Sequence, residues 1–203
     1  RSANPSHLSL PVKGTTEASA IITRGSEGGD RLRRTLVTLR LGDYSQLISV
    51  VDTASIELGA KDAEHGLVLV EPEDGGTTSG PNGVGRTPVP FANGQSAYLY
   101  LRLPAAMPRT GDTYLTVEYL DKGRGTLAVQ YDSQDASLPM SGAYKPTESL
   151  SLGDTGRWLT HTFRLPDGRF AGRQNGAADL RFVLSVPPTV VKGVVATKWA
   201  PNG

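Results

Sequence analysis

The chain has 203 residues, 37% hydrophobic and 20% charged, and its 24 Gly and 14 Pro make up nearly a fifth of it, against about 12% in an average protein. That composition is globular, excludes disordered and fibrous classes and leaves little room for long helices, while the length supports one large β domain or two small ones. Lys+Arg 21 against Asp+Glu 20 gives none of the electrostatic pull of a nucleic-acid or anionic-membrane binder, and the absence of cysteine removes disulfides, thiolate zinc sites and cysteine nucleophiles together.

No run approaches the 18 or more apolar residues of a membrane span, and the opening RSANPSHLSL lacks the apolar core of a signal peptide. The chain begins without Met, so it is expected to be a processed or excised piece of something longer.

In chain order, ASAIITR (18–24), TLVTLRL (35–41) and YSQLISV (44–50) alternate with period two and read as strands, with turns at 25–30 and at Gly42-Asp43. TASIELGAKDAEH (53–65) is a short helix candidate interrupted by Gly59 and reads as a linker. A second series follows: 67–71, 97–103, 113–120, 126–132, 149–152, 158–165, 179–186 and 194–199. The strands TYLTVEYL and TLAVQYD, joined by DKGRG, are expected to form a hairpin. On the first of them Tyr114, Thr116, Glu118 and Leu120 share one face, and Leu115, Val117 and Tyr119 share the other. Residues 71–90 have no periodicity and read as a long loop.

Groups for bond-breaking chemistry are sparse. His7, His65 and His161 are the only histidines, and none has a metal-ligand spacing; His161 alternates with Leu159 and Phe163 as a packed or surface strand residue would. No G-x-S-x-G elbow, P-loop or G-x-G-x-x-G stands in the required context. Glu118, Asp121, Asp132 and Asp135 are the candidates for a glycosidase carboxylate pair, with Glu118 and Asp132 brought within reach by the expected hairpin. A solvated strand face closed by a turn aspartate explains them more simply. Glu71, Glu73 and Asp74 in EPEDGG set three hard oxygen ligands within four residues, which is calcium-like chemistry, and Asp132 with Asp135 forms a second cluster.

Aromatic and amide residues are the richer signal, because sugar rings stack their C–H faces on Trp and Tyr while Asp, Asn, Arg and Gln take the hydroxyls. Tyr98, Tyr100, Tyr114, Tyr119 and Tyr131 fall on strands, Tyr144 lies in SGAYKP, and Trp158 opens a strand. The loop 171–179 adds Arg173, Gln174 and Asn175. Core or sheet-face packing and a hydrogen-bonded turn are the competing explanations.

The stretch LTVEYLDKGRGTLAVQYDS, then AYKPTESLSLGDTGRWLTHTFRLPDGRFAGRQNGAADLRF, resembles the galactose-binding-like β-sandwich modules appended to secreted bacterial polysaccharide-degrading enzymes. Tyr119, Asp121, Gly123, Gly125, Val129, Tyr131, Asp132, Ser133, Trp158, Arg169, Phe170, Arg173, Gln174, Asn175, Gly176 and Asp179 carry the likeness, which covers roughly residues 65–199. It implies a non-catalytic module that holds a glycan or caps a catalytic domain, often with a structural calcium ion, and motif residues that are mostly architectural.

The expectations are therefore an all-β, jelly-roll or galactose-binding-like β-sandwich at 59–203, preceded by a small β unit at 1–58 that suggests an immunoglobulin-like fragment. The expected role is carbohydrate binding, with Tyr144, Trp158, Arg173, Asn175, Tyr131 and Asp132 as ligand-binding candidates and no catalytic residue. Expected partners are a polysaccharide or oligosaccharide and an adjoining catalytic domain of a secreted bacterial protein, with no nucleic acid and no membrane. A purely structural domain-positioning module and a sandwich hydrolase or lyase stand as alternatives.

Overall fold

A computed structural model describes the backbone of strands 17–24 and 33–40, and residues 51–91, 94 and 96–201 in full. The chain forms two compact units, Arg1–Val50 and Val51–Gly203. In the first, β1 (Glu17–Arg24) pairs antiparallel with β2 (Arg33–Arg40), from Glu17 opposite Arg40 to Arg24 opposite Arg33. The strand expected at 44–50 and the turns expected at 25–30 and 42–43 lie outside the described residues.

The strands of the second unit are, in order, β3 (Thr53–Glu57), β4 (Ala63–His65), β5 (Val68–Val70), β6 (Thr77–Ser79), β7 (Arg86–Pro88), β8 (Ser96–Arg102), β9 (Thr113–Asp121) and β10 (Thr126–Tyr131). They continue with β11 (Lys145–Pro146), β12 (Leu150–Ser151), β13 (Arg157–Leu165), β14 (Leu180–Ser185) and β15 (Val191–Thr197). The only helical turns among the described residues are short 3-10 turns at Pro81–Gly83, Pro139–Gly142 and Asn175–Ala177. Two antiparallel sheets result. One has six strands in the order β11-β10-β14-β8-β5, with β12 also on β10; the other has seven, in the order β13-β9-β15-β3-β4, with β7 on β15 and β6 on β7.

From β8 onward the long strands alternate between the sheets: β8, β10 and β14 in one, β9, β13 and β15 in the other. This is the winding of a double-sheet jelly roll, and the expected all-β sandwich is the fold. The alternation corrects the expected hairpin, because β9 and β10 are consecutive but lie in different sheets. A tight hairpin and a sheet-to-sheet crossing use the same turn residues, so DKGRG does not distinguish them. The crossing is fastened from outside: the Asp121 carboxylate accepts from the Gly153 and Thr155 amides (2.7 and 3.1 Å) and the Thr155 hydroxyl (2.6 Å), and the Gly123 amide donates to Asp154 (2.8 Å). The Thr155 hydroxyl bond and these amides hold the Asp121 carboxyl below its ordinary range against the effect of burial.

The reading of 53–65 as a linker is also corrected. Thr53–Glu57 pairs with β15 over its whole length, and Ala54 and Ile56 turn into the core. Five residues alternate too briefly to outweigh the polar, Gly-interrupted stretch that follows. The aperiodic 71–90 segment likewise contains the short β6–β7 pair.

The core lies between the sheets. Leu99, Leu101, Leu127, Val129, Leu180, Phe182 and Leu184 face Ile56, Leu115, Val117, Phe163, Leu165 and Val194. β9 follows the strict alternation assigned to it, with Leu115, Val117 and Tyr119 inward. Phe163 and Phe182 touch across the layers with ring centroids 6.5 Å apart. Replacing Phe182, which is wholly buried, by Ala removes this bridge and leaves a cavity; urea denaturation is expected to register a loss of about 3–5 kcal/mol.

Candidate ligand-binding face

Three strands of the six-stranded sheet place Gln130, Arg181 and Tyr100 side by side on its outward face, because Gln130 is registered with Arg181 and Arg181 with Tyr100. Period-two alternation sends Leu99, Leu101, Phe182, Leu180 and Val129 inward and turns Gln130, Arg181 and Tyr100 to the other side of the sheet, where Gln130 and Arg181 are partly exposed and Tyr100 is covered by the loop bearing Asp74. Arg181 donates to the Gln130 side-chain oxygen (2.8 Å) and to the Tyr100 hydroxyl (2.6 Å). Its guanidinium lies over three tyrosine rings, Tyr98 at 4.0 Å, Tyr144 at 4.5 Å and Tyr100 at 5.5 Å from the centroids.

Loops complete the cluster. The Tyr100 hydroxyl donates to Asp74 Oδ2 (2.7 Å), and the Asn175 side-chain amide donates to Asp74 Oδ1 (3.0 Å). The Tyr144 hydroxyl donates to Asn175 Oδ1 (3.1 Å) and accepts from the Asn175 backbone amide (3.0 Å). Burial pushes the Tyr100 hydroxyl far above the ordinary phenol range, and the bond to Asp74 adds to this while Arg181 opposes it. The turn bearing Asp74 approaches so closely that a Cβ on Gly75 would stand 2.5 Å from the Tyr100 ring. Gly176, at φ +65°, seats the Asn175 turn against Val70, where a Cβ would meet Val70 Cγ1 at 2.6 Å. Beside the cluster opens a shallow cleft of about 410 Å³, lined by Pro72, Glu73, Asp74, Phe91, Asn175 and Gly176.

Behind this face lies a buried polar brace. Asp132 is fully buried; its Oδ1 accepts from Arg173 Nε (2.8 Å) and Nη2, and its Oδ2 accepts from the Ala171 amide (2.8 Å). Arg173 also donates to the carbonyls of Ser133 (2.7 Å) and Ser141 (3.0 Å). The Gln174 side-chain amide donates to the carbonyls of Ala143 (2.8 Å) and Gln130 (3.1 Å). Met140, Ser141 and Gly142 take positive φ in succession, and the Gly142 carbonyl accepts from Ser133 N (2.9 Å) and Oγ (3.0 Å). Asp179, also buried, accepts from the Leu103 and Gly172 amides (both 2.9 Å), and burial raises its carboxyl above the ordinary range. These bonds fix the two loops that end in Tyr144 and Asn175.

The six ligand-binding candidates therefore separate. Tyr144 and Asn175 meet at the surface. Arg173 and Asp132 hydrogen-bond to each other and to loop carbonyls and amides beneath that surface. Tyr131 is buried, packs on Phe170 and donates its hydroxyl to Asp167 (2.5 Å). Trp158 lies on the other sheet, opposite Leu120, with the Lys192 ammonium 5.6 Å from its ring centroid. Arg181, Gln130 and the pairing role of Asp74 escape sequence reading; alternation marks the first two as outward positions, but no local signal aligns them across strands.

The carboxylates raised as acid–base or calcium candidates are dispersed. Glu118 pairs with Lys192 (2.7 Å) on the seven-stranded sheet, away from Asp132 on the other. Glu71 accepts from the Thr77 amide (2.9 Å) and hydroxyl (2.6 Å), and Asp135 accepts from the Ser137 amide (3.1 Å). Among the described residues no three acidic or histidine side chains gather where a metal could be held. His161 packs its ring edge-on against Phe163 at 4.6 Å, and burial lowers its pKa.

Neither a protein-family model nor a curated protein matches the chain. Among solved structures it is similar to a family 29 carbohydrate-binding module, at 12% identity and a TM-score of 0.38, over 71% of this chain and 84% of that one. It is also similar to the K3 cleaved adhesin domain of Lys-gingipain from Porphyromonas gingivalis, at 13% identity and a TM-score of 0.33, over 71% of this chain and 95% of that one.

Arg173→Ala strips the buried Asp132 carboxylate of its charge partner. Its unfolding midpoint in urea is expected to fall by the equivalent of about 3–5 kcal/mol, whereas Arg124→Ala, a crossing-turn residue with no such partner role, is expected to stay within about 0.5 kcal/mol of the native chain.

Proposed function

We propose that the second unit is a non-catalytic carbohydrate-binding module whose ligand lies on the outward face of the six-stranded sheet, across Tyr98, Tyr144 and Asn175 and into the cleft beside Asp74. The observation that carries this reading is the convergence of aromatic rings, an amide and a carboxylate at one shallow surface. A pyranose presents apolar C–H faces and a girdle of hydroxyls, so its binding requires flat rings with hydrogen-bonding groups at their edges. Half-exposed Tyr98 and Tyr144 supply rings, exposed Phe91 extends the apolar rim, and Asn175 and Asp74 supply donors and acceptors. An open cleft suits a chain polymer crossing the surface better than a small molecule enclosed on all sides.

The same face argues against turnover. Glycoside hydrolysis needs a proton-donating carboxyl with raised pKa at the substrate. Asp179, which burial raises in this way, is 2% exposed and closed in by backbone amides. The resemblance of residues 65–199 to modules appended to secreted polysaccharide-degrading enzymes supports an extracellular setting and an adjoining catalytic domain. It also supports neutral plant, algal or microbial polysaccharides as the first ligands to try.

Titration calorimetry against such a panel tests the reading. At least one polysaccharide is expected to bind, Tyr144→Ala and Asn175→Ala are each expected to weaken it about tenfold or more, and Trp158→Ala on the other sheet is expected to leave it unchanged. Silence across the whole panel favours the domain-positioning module instead; loss with Trp158→Ala but not with Tyr144→Ala moves the site to the other sheet.

A further inference from the structure

β13 ends the seven-stranded sheet. Among the described residues it pairs with β9 along all nine positions, in unbroken register, and with no other strand. Arg157, Trp158, Leu159 and Thr160 are exposed, Trp158 at 39% and Leu159 at 37%. Open edges are usually blunted by shortness, a bulge, a proline or an inward-pointing lysine. β13 is long and carries no proline, lysine or bulge, its charges Arg157 and Arg164 stand near its two ends, and the irregularity in its sheet falls on β15. An unblunted edge of this length is a template for a further strand.

The strand's own sequence identifies that strand. Its five central residues, L-T-H-T-F, read alike in both directions about His161: apolar, hydroxyl, imidazole, hydroxyl, apolar. When two copies are laid antiparallel with His161 on the two-fold axis, Trp158 faces Arg164, Leu159 faces Phe163 and Thr160 faces Thr162. These three pairings are of a favourable cross-strand kind, ring with guanidinium, apolar with apolar and hydroxyl with hydroxyl, while His161 meets its own copy on the axis and the end pair sets exposed Arg157 beside buried Leu165. The Arg164 side chain is 63% exposed, and Asp112 holds it at the strand's outer surface through Nε (2.8 Å). The register also keeps sides matched, since Leu159, His161 and Phe163 point to the core side in both copies. An axis moved to Thr160 would set Trp158 against Thr162 and Leu159 against His161, losing both the cation–ring and the apolar pairs.

The geometry points to a second copy of this chain as the occupant of the β13 edge, in a two-fold dimer whose seven-stranded sheets join through β13. This pairing does not use the six-stranded sheets or the face proposed to bind carbohydrate, so this dimer stands or falls independently of the ligand.

The cysteine-free chain permits a direct test. His161→Cys places the sole thiol on the two-fold axis, where antiparallel strand partners about 4.5–5.5 Å apart suit a disulfide. Thr160→Cys lies out of register with its own copy. Under mild oxidation of the full chain, His161→Cys is expected to yield a covalent dimer at least about tenfold faster than Thr160→Cys. In sedimentation velocity the native chain is expected to pass from monomer to dimer as concentration rises to about 100 μM, and Leu159→Lys, with an unchanged far-ultraviolet spectrum, to remain monomeric. A native chain that stays monomeric, a Leu159→Lys variant that dimerises equally well, or equal linking rates for the two cysteines overturns the inference.

Discussion

A charged carboxylate with no exposure to water is costly unless its charge is compensated, and the contact between Asp132 and Arg173 compensates it at the end of β10. Removing two charges from water costs several kcal/mol each, and their attraction offsets this only when the remaining hydrogen-bonding capacity is also filled. Here it is filled by the Ala171 amide and by the carbonyls of Ser133 and Ser141. Those partners belong to two separate loops, so satisfying one buried charge fixes both. The loops then carry Tyr144 and Asn175 outward to Asp74 and Arg181. Surface geometry at the candidate face is thus set from below, and the tyrosine rings are already in place before any ligand arrives, which lowers the ordering cost of binding.

The two outward faces of the sandwich differ in chemistry because different strands supply them. The six-stranded sheet presents rings, an amide and a compensated Arg181–Asp74 pair 3.6 Å apart. The seven-stranded sheet presents Thr116 and Thr162, whose hydroxyls meet at 2.8 Å, together with Trp158 and a strand, β13, that among the described residues pairs on one side alone. The proposed ligand face and the proposed association edge thus fall on different sheets, and neither needs movement of the core.

Much of this is legible in the chain. Alternation locates nearly every long strand, and the buried faces of β9 agree with it residue by residue. Partner identity is not legible. DKGRG closes either a hairpin or a crossing, and the deciding contacts come from Gly153 and Thr155, some 30 residues downstream. β3 is hidden because five alternating residues precede a Gly-interrupted polar stretch. At the candidate face, Tyr144 and Asn175 stand out by residue type and loop position. Arg173 and Asp132 look the same on those grounds, and only the folded hydrogen-bond network distinguishes a side chain at the surface cluster from one bonded into the loops beneath it. Arg181 and Gln130 acquire meaning through register between strands distant in the chain.

β15 lies third in the order β13-β9-β15-β3-β4, flanked on both sides, although it is the final strand of the unit. Until its residues leave the ribosome, β9 and β3 each lack a neighbour, and the apolar sides of both sheets have no complete layer to close against. The sandwich therefore forms after synthesis of the unit rather than during it, and its strand partners must find one another across most of the sequence, a topology associated with slow folding and prolonged exposure of unpaired edges. For a chain delivered in an extended state, as translocation across a membrane demands, such late closure would be an advantage rather than a hazard.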